Sequence, residues 1–190
     1  MSNFFALMAR MKYIRRWGLM KSTREENIQE HSLQTAMIAH MLALIGNKIY
    51  NKNYDADSIA VKAMYHEASE IITGDLPTPI KYYNSEIKSA YKQIEAYATD
   101  EICAMLPDEF KGDFTPILKI EDAEEKKIVK AADKLSALIK CIEELKAGNG
   151  EFRRAKASTE EALHRMQLPA IECFMQEFLP YYELTLDEQN

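Results

Sequence analysis

The chain lacks what several classes of protein require. Its three cysteines, Cys103, Cys141 and Cys173, lie far apart with no CxxC pairing, which excludes a disulfide framework and fits reduced core thiols in a cytoplasmic protein. No run approaches the roughly 18 apolar residues that a bilayer-crossing helix needs. The apolar start, MSNFFALMARMKYIRRW, is interrupted by Arg10, Lys12, Arg15 and Arg16, so it holds no continuous core of a secretory signal. Positive charge is also scarce. The 24 Lys and Arg face 30 Asp and Glu, a formal charge of −6, which argues against a nucleic-acid polymer or an anionic membrane as partner. A small ligand stays open. Alternation of period two is never sustained, and no internal repeat or low-complexity tract occurs, which leaves little room for strands.

What is present is helical periodicity over 190 residues, 47% of them hydrophobic, enough for one well-filled core. In residues 27–49, Ile28, Leu33, Met37, Ile38, Met41, Leu42 and Ile45 recur mostly at three and four, predicting a long amphipathic helix. A second helix is expected from a cap at Asp55 or Asp57 through Ile59, Ala63 and Met64, ended by Gly74, Pro77 and Pro79. A third runs from about Ser85 to Leu106 and stops before Pro107, followed by a loop over PDEFKGDFTP. Residues 121–147 predict a fourth, opening with acids and ending at Gly148. Two more are expected at roughly 151–166 and 168–179. The fold class is all-α, a single-domain helical bundle over residues 1–190.

The stretch AMYHEASEIITGDLPTP concentrates the candidate chemistry. On a continuous helix His66 and Glu70 share a face, while Glu67 is turned about 100° away, so His66 and Glu67 diverge as two arms. Imidazole nitrogen with carboxylate oxygen suits a borderline divalent cation such as manganese, cobalt, iron or zinc. His31 lies in the first turn of its own helix. His40 and His164 read as surface or core residues, and the segment after Gly74 offers Asp75 with the hydroxyls of Thr73 and Thr78. By charge pattern alone Asp133 is solvated, on a narrow face with Val129, Ala137 and Lys140. In RRWGLM, Arg16 has the planar fork that grips phosphate, and Trp17, the only tryptophan, has an indole that packs on a sugar or anchors in a core.

The order of these groups along the chain resembles the H…HD…D signature of the HD-domain metal-dependent phosphohydrolases. More closely, RRWGLM, ENIQEHSLQTAMIAHMLA, AMYHEASEIITGDLPTP, VKAADKLSALIKCIEELKAGN and the late LDE resemble the bacterial HD-domain 5′-deoxynucleotidases. That resemblance implies one divalent ion, Co²⁺, Mn²⁺ or a similar transition metal, held by His31, His66, Glu67 and Asp133. It further implies Glu70 as catalytic acid, Arg16 as phosphate clamp, and substrate contacts from Arg16, Trp17, Glu67, Asp75, Leu76, Pro77, Thr78 and Asp133. The implied reaction converts deoxyribonucleoside 5′-monophosphates to deoxynucleoside and phosphate, in a homodimer. One departure stands out: Glu67 occupies the position of the family aspartate, and its additional methylene shifts the carboxylate by about a bond length where ligand distances hold to roughly ±0.2 Å. The alternative expectation is therefore a catalytically weakened or silent nucleotide-binding protein.

Overall fold

A computed structural model of the protein describes residues 1–81 and 83–189. Within them the chain is helical with no strand, and an isolated antiparallel bridge joins Arg15 to Asn27. The α-helices are α1 (Phe4–Met8), α2 (Ile28–Ile49), α3 (Ala56–Met64), α4 (Glu70–Thr73), α5 (Thr78–Lys81), α6 (Ser85–Ala104), α7 (Asp108–Leu118), α8 (Ala123–Lys146), α9 (Arg153–Arg165) and α10 (Pro169–Glu177). No helix of the described residues is long and apolar enough to cross a membrane.

The long helices begin where their sequences supply a cap. Asn27 accepts the backbone N–H groups of Gln29 and Glu30, both at 3.0 Å. Asp55, Asn84 and Asp122 cap α3, α6 and α8 through Ser58, Ile87 and Glu125. Each such bond satisfies a donor that the helix cannot, and is worth about 1 kcal/mol. At the other ends, Gly74 after α4 and Gly148 after α8 take φ values of 72° and 85°, a region open to glycine without steric cost.

Packing divides the apolar side chains between two cores. The larger joins α2, α3, α8, α9 and α10 around Leu42, Ile59, Leu135, Leu138, Ile139 and Ile171. The smaller gathers Phe4, Met8, Met11, Ile28, Ala68, Ile102 and Leu106. Full burial of each large aliphatic side chain contributes about 1.5–3 kcal/mol before entropy is counted. The chain crosses the seam between the cores three times, and the first two crossings carry candidate residues. Ile28 lies in the smaller core and Ala36 in the larger, with His31 between them; Ala63 lies in the larger and Ala68 in the smaller, with His66 and Glu67 between them. Helices α2 and α8 run antiparallel, since Gln34, early in α2, meets Ser136 midway along α8, while Tyr54, just beyond the end of α2, meets Glu124 at the start of α8.

Four expectations are corrected. Helix α3 does not continue to Gly74: it ends at Met64, and residues 65–69 form a tight turn before α4. The segment expected as a loop after Pro107 is α7, with Pro116 inside its last turn. Tertiary contact overrides the breakers there, because Phe114 packs edge-on against Phe4 at 5.3 Å and Tyr65 at 5.9 Å. Leu33 and Met37 are not core residues but 54% and 61% exposed. Apolar residues occupy more of the α2 circumference than one packed face can cover, so spacing alone does not select which ones turn inward. Of the cysteines only Cys141 is fully buried; Cys103 and Cys173 lie at the margins, and all three are free.

Candidate metal centre

The turn at residues 65–69 shapes half of the site. Its backbone bonds run from residue i to i−3, from Tyr65 N to Lys62 O, Ala68 N to Tyr65 O and Glu70 N to Glu67 O. At three residues per turn, positions i and i+3 eclipse. Glu67 and Glu70 therefore stack on one side, where a regular α-helix would have paired His66 with Glu70. His66 is fixed by its own helix end, its Nδ1 donating to the Ala63 carbonyl at 2.6 Å. Its Nε2 is buried and has no hydrogen-bond partner among the described residues.

Helices α2 and α8 supply the other half. His31 is fully buried, with Nε2 3.1 Å from Asp133 Oδ1 and 3.7 Å from Glu67 Oε1. His66 Nε2 stands 3.3 Å from the same Glu67 oxygen, off hydrogen-bonding alignment. Ser136 donates to Gln34 Oε1 at 2.6 Å, which spends its one proton and leaves it to accept from His31 Nδ1 at 3.0 Å. With its Nδ1 protonated, neutral His31 carries an Nε2 lone pair facing two carboxylates.

Two imidazole lone pairs and two carboxylates thus converge, their ligand atoms all within 4.8 Å of one another in His31, His66, Glu67 and Asp133. Such an arrangement needs a positive charge at its centre. The nitrogen-and-oxygen donor set suits a borderline divalent cation, and the bonds to Ala63 and Ser136 are those that orient ligating histidines. The residues present fit a metal. The additional methylene of Glu67 does not prevent convergence, because the turn brings its carboxylate to both imidazoles.

Electrostatics follow from this crowding. Burial, then the nearby Arg16, lowers the His31 pKa. Burial also disfavours charged His66, but Glu67, Asp133 and the Ala63 carbonyl together outweigh it and the net shift is upward. For Glu67 burial is overcome by His66, His31 and Arg16, and its pKa falls. For Asp133 the loss of water is again overcome, chiefly by the adjacent His31, and its pKa falls to about 2. Glu70 goes the other way: burial and the carboxylates of Glu67 and Asp75 push it up to about 10.

Arg16 borders the cluster, its Nη2 3.9 Å from Asp133 Oδ1. Trp17 is half-buried, its ring 5.2 Å from that of Phe152. Asp75 feels the charges of both Arg16 and Glu67, and the Trp17 backbone N–H stabilises its carboxylate. Leu76 and Pro77 are half-buried, whereas Thr78 is exposed at the start of α5. Thr73 turns away from the cluster and donates to the Gly74 carbonyl. His40 and His164 lie outside it, paired with Asp57 and Glu172. Asp133 is not a solvated residue of α8, since its carboxylate meets His31. Sequence reasoning missed Ser136 and Gln34, each three residues beyond a candidate ligand on the same helix face, and that spacing was the available signal. It also missed Glu26, whose carboxylate pairs with Arg16 at 3.0 Å and for which no local pattern speaks.

The fold is that of the HD-domain phosphohydrolases. A structure of such a protein from Listeria innocua superposes with a TM-score of 0.82 at 22% identity, over 95% of this chain and 88% of that one. The cyanophage S-2L HD phosphohydrolase DatZ, solved with dA and one catalytic Zn²⁺ ion, superposes with a TM-score of 0.66 at 19% identity, over 92% and 95%. Sequence narrows the class. The family model described as 5′-deoxynucleotidase YfbR-like matches residues 3–182. A 5′-deoxynucleotidase of Vibrio atlanticus (strain LGP32) is 51% identical, across 98% of this chain and 97% of that protein. The chain belongs to the YfbR-like 5′-deoxynucleotidase family.

Proposed function

We propose that the protein hydrolyses deoxyribonucleoside 5′-monophosphates to deoxynucleoside and inorganic phosphate, using one divalent metal ion. The observation that carries this reading is the convergence of His31, His66, Glu67 and Asp133 beside a largely enclosed guanidinium and a buried carboxyl group, in a chain of this family. A divalent ion such as Mn²⁺, Co²⁺ or Zn²⁺ held by those four residues would neutralise phosphoryl charge and make a water more acidic.

The remaining work falls to other side chains. Arg16 binds phosphate oxygens with the guanidinium edge that faces the cluster. Glu70, 5% exposed and stacked beyond Glu67, hands its proton to the 5′-oxygen as the P–O5′ bond breaks, and takes back the proton that the attacking water loses, a role worth typically 10²–10⁴-fold. Trp17 and the run Asp75, Leu76, Pro77 and Thr78 close round the sugar. A pocket too tight for a 2′-hydroxyl, or one leaving it unpaired, favours deoxyribose, since an unsatisfied buried hydroxyl is costly. The chain works as one domain and as a homodimer, for which exposed Phe5, Leu33 and Met37 offer apolar area. No feature of the site favours the silent-binder alternative.

The test is phosphate release from paired ribo- and deoxyribonucleoside 5′-monophosphates, with Mn²⁺ or Co²⁺ added and then chelated. Metal-dependent release from the deoxy series is expected. Equal inertness of the parent and Glu67→Asp, with nucleotide still bound, would sink the enzymatic reading. Sedimentation of the purified protein checks the dimer.

A further inference from the structure

Arg16 and Trp17 are consecutive residues whose side chains end on a single atom. Glu26 Oε2 accepts Arg16 Nη1 at 3.0 Å and Trp17 Nε1 at 2.9 Å. Both charged partners are largely enclosed, with side-chain exposures of 13% for Arg16 and 11% for Glu26. The backbones are paired as well: Arg16 N donates to Glu26 O at 2.9 Å, and Ile28 N to Ile14 O at 3.0 Å, around the Arg15 to Asn27 bridge. Asn27 is the cap of α2, so this short clip sets Arg16 and Trp17 in register with His31 on the first turn of that helix.

The loop closing the clip is tied down at its far side. Glu144 accepts the N–H groups of Thr23 and Arg24 and the Thr23 hydroxyl, while Asn149 donates to the Lys21 carbonyl. Trp17 itself has φ 63°, a left-handed conformation that a bulky residue holds only when its surroundings impose it. Without the Glu26 oxygen, the guanidinium loses the hydrogen bond that holds it against the pull of Asp133 at 3.9 Å, and Arg16 would move into the space intended for phosphate.

We propose that Glu26 is the positioning residue of the phosphate and sugar contacts, its one carboxylate oxygen setting Arg16 and Trp17 at a fixed angle to each other and to the metal ligands. This rests on the nucleotidase reading of Arg16 and Trp17 given above. Glu26 touches neither substrate nor metal; it acts through its two donors.

Trp17 is the only tryptophan, so its fluorescence reports the tether without turnover. In the Mn²⁺-loaded protein, Glu26→Ala is expected to shift the emission to the red and open the indole to acrylamide quenching, with manganese content unchanged. Misplacing the clamp should lower kcat by about 10²-fold, with a smaller rise in KM. Glu26→Gln keeps an acceptor oxygen, should restore the parent emission, and should recover about tenfold of that loss through the weaker, uncharged bond. In Arg16→Ala, adding Glu26→Ala should cost less than it does in the parent, since residues acting through one another are not additive. The proposal is overturned by parent-like emission and kcat in Glu26→Ala, by effects of Arg16→Ala and Glu26→Ala that simply multiply, or by Glu26→Gln no better than Glu26→Ala. An Arg16→Ala protein with unchanged kcat/KM overturns the reading beneath it instead, while the emission arm still reports whether Glu26 holds the indole. If Glu26→Ala does not fold, the Glu26→Gln emission and kcat decide.

Discussion

Helix α8 carries two buried polar clusters, three turns apart, and they are built on opposite plans. At its C-terminal end Glu144 is 1% exposed and Lys140 5%, yet every strong group is answered: Lys140 Nζ donates to Glu144 at 2.6 Å and to the Arg24 carbonyl at 2.5 Å, and Thr23, Arg24 and Asn149 fill the remaining carboxylate positions. In its middle, Asp133 faces His31, His66 and Glu67, and His66 Nε2 has no hydrogen-bond partner among the described residues. A saturated polar network stabilises and specifies a fold. One that is short of positive charge at its centre is a place for something else to bind. The contrast teaches that burial and charge alone do not mark a functional site; the convergence of metal-ligating donor atoms does.

The largest effect should come from removing one of the converging donors. Asp133→Ala removes a ligand, and is expected to abolish both metal retention, measured by elemental analysis, and phosphate release, while the folded helical signal persists. Glu70→Gln leaves the ligand set intact, so metal content should hold while kcat drops by about 10²–10⁴-fold; loss of metal in that variant would contradict the assignment of Glu70 as a proton donor outside the metal set.

Breaking the saturated cluster should do the reverse. Glu144→Ala strands Lys140 without its partner and should lower unfolding free energy by about 3–5 kcal/mol, read by urea denaturation, with kcat per folded molecule reduced far less than by Glu70→Gln. The same pair has a pH signature. Burial opposes ionisation of Glu144, but Lys140, the Thr23 N–H and Asn149 together lower its pKa from 4.5 to about 2. A group depressed on folding contributes stability that is fully present above its unfolded pKa. That contribution, about 3 kcal/mol for a shift of this size, should be lost as pH falls from about 4.5 through about 2. Glu144→Gln should flatten the stability profile in that window. The smallest change sharpens the comparison: Ser136→Ala removes the acceptor that orients His31, and should weaken metal binding by about 10–100-fold, measured by competition with a chelator.

Legibility in the sequence followed the range of the interaction. Caps such as Asn27, Asp55 and Asp122 act within three residues of themselves, so α2, α3 and α8 began where their sequences said. The turn at 65–69 carries no glycine or proline, and nothing local signals that the chain tightens there; the crossing between the two cores imposes it. Helix α7 was hidden for the opposite reason, since Gly112 and Pro116 advertise a break that packing against Phe4 and Tyr65 overrides. The metal residues were named through resemblance to a family, and by charge pattern alone Asp133 looked solvated. Ser136 and Gln34 were legible in principle at spacing i+3. Glu26 was not, because its partners are nine and ten residues away across a backbone clip.

By itself, the sequence determined the helical class, the starts of the capped long helices and the supply of metal-binding side chains, because periodicity, capping and residue chemistry are properties of short segments. The tertiary structure alone decided that Glu67 and Glu70 share a side, that Leu33 and Met37 face outward, and that one glutamate oxygen aligns Arg16 with Trp17. Those outcomes depend on which distant surfaces meet, and a carboxylate has no partner until the fold brings one within about three ångströms.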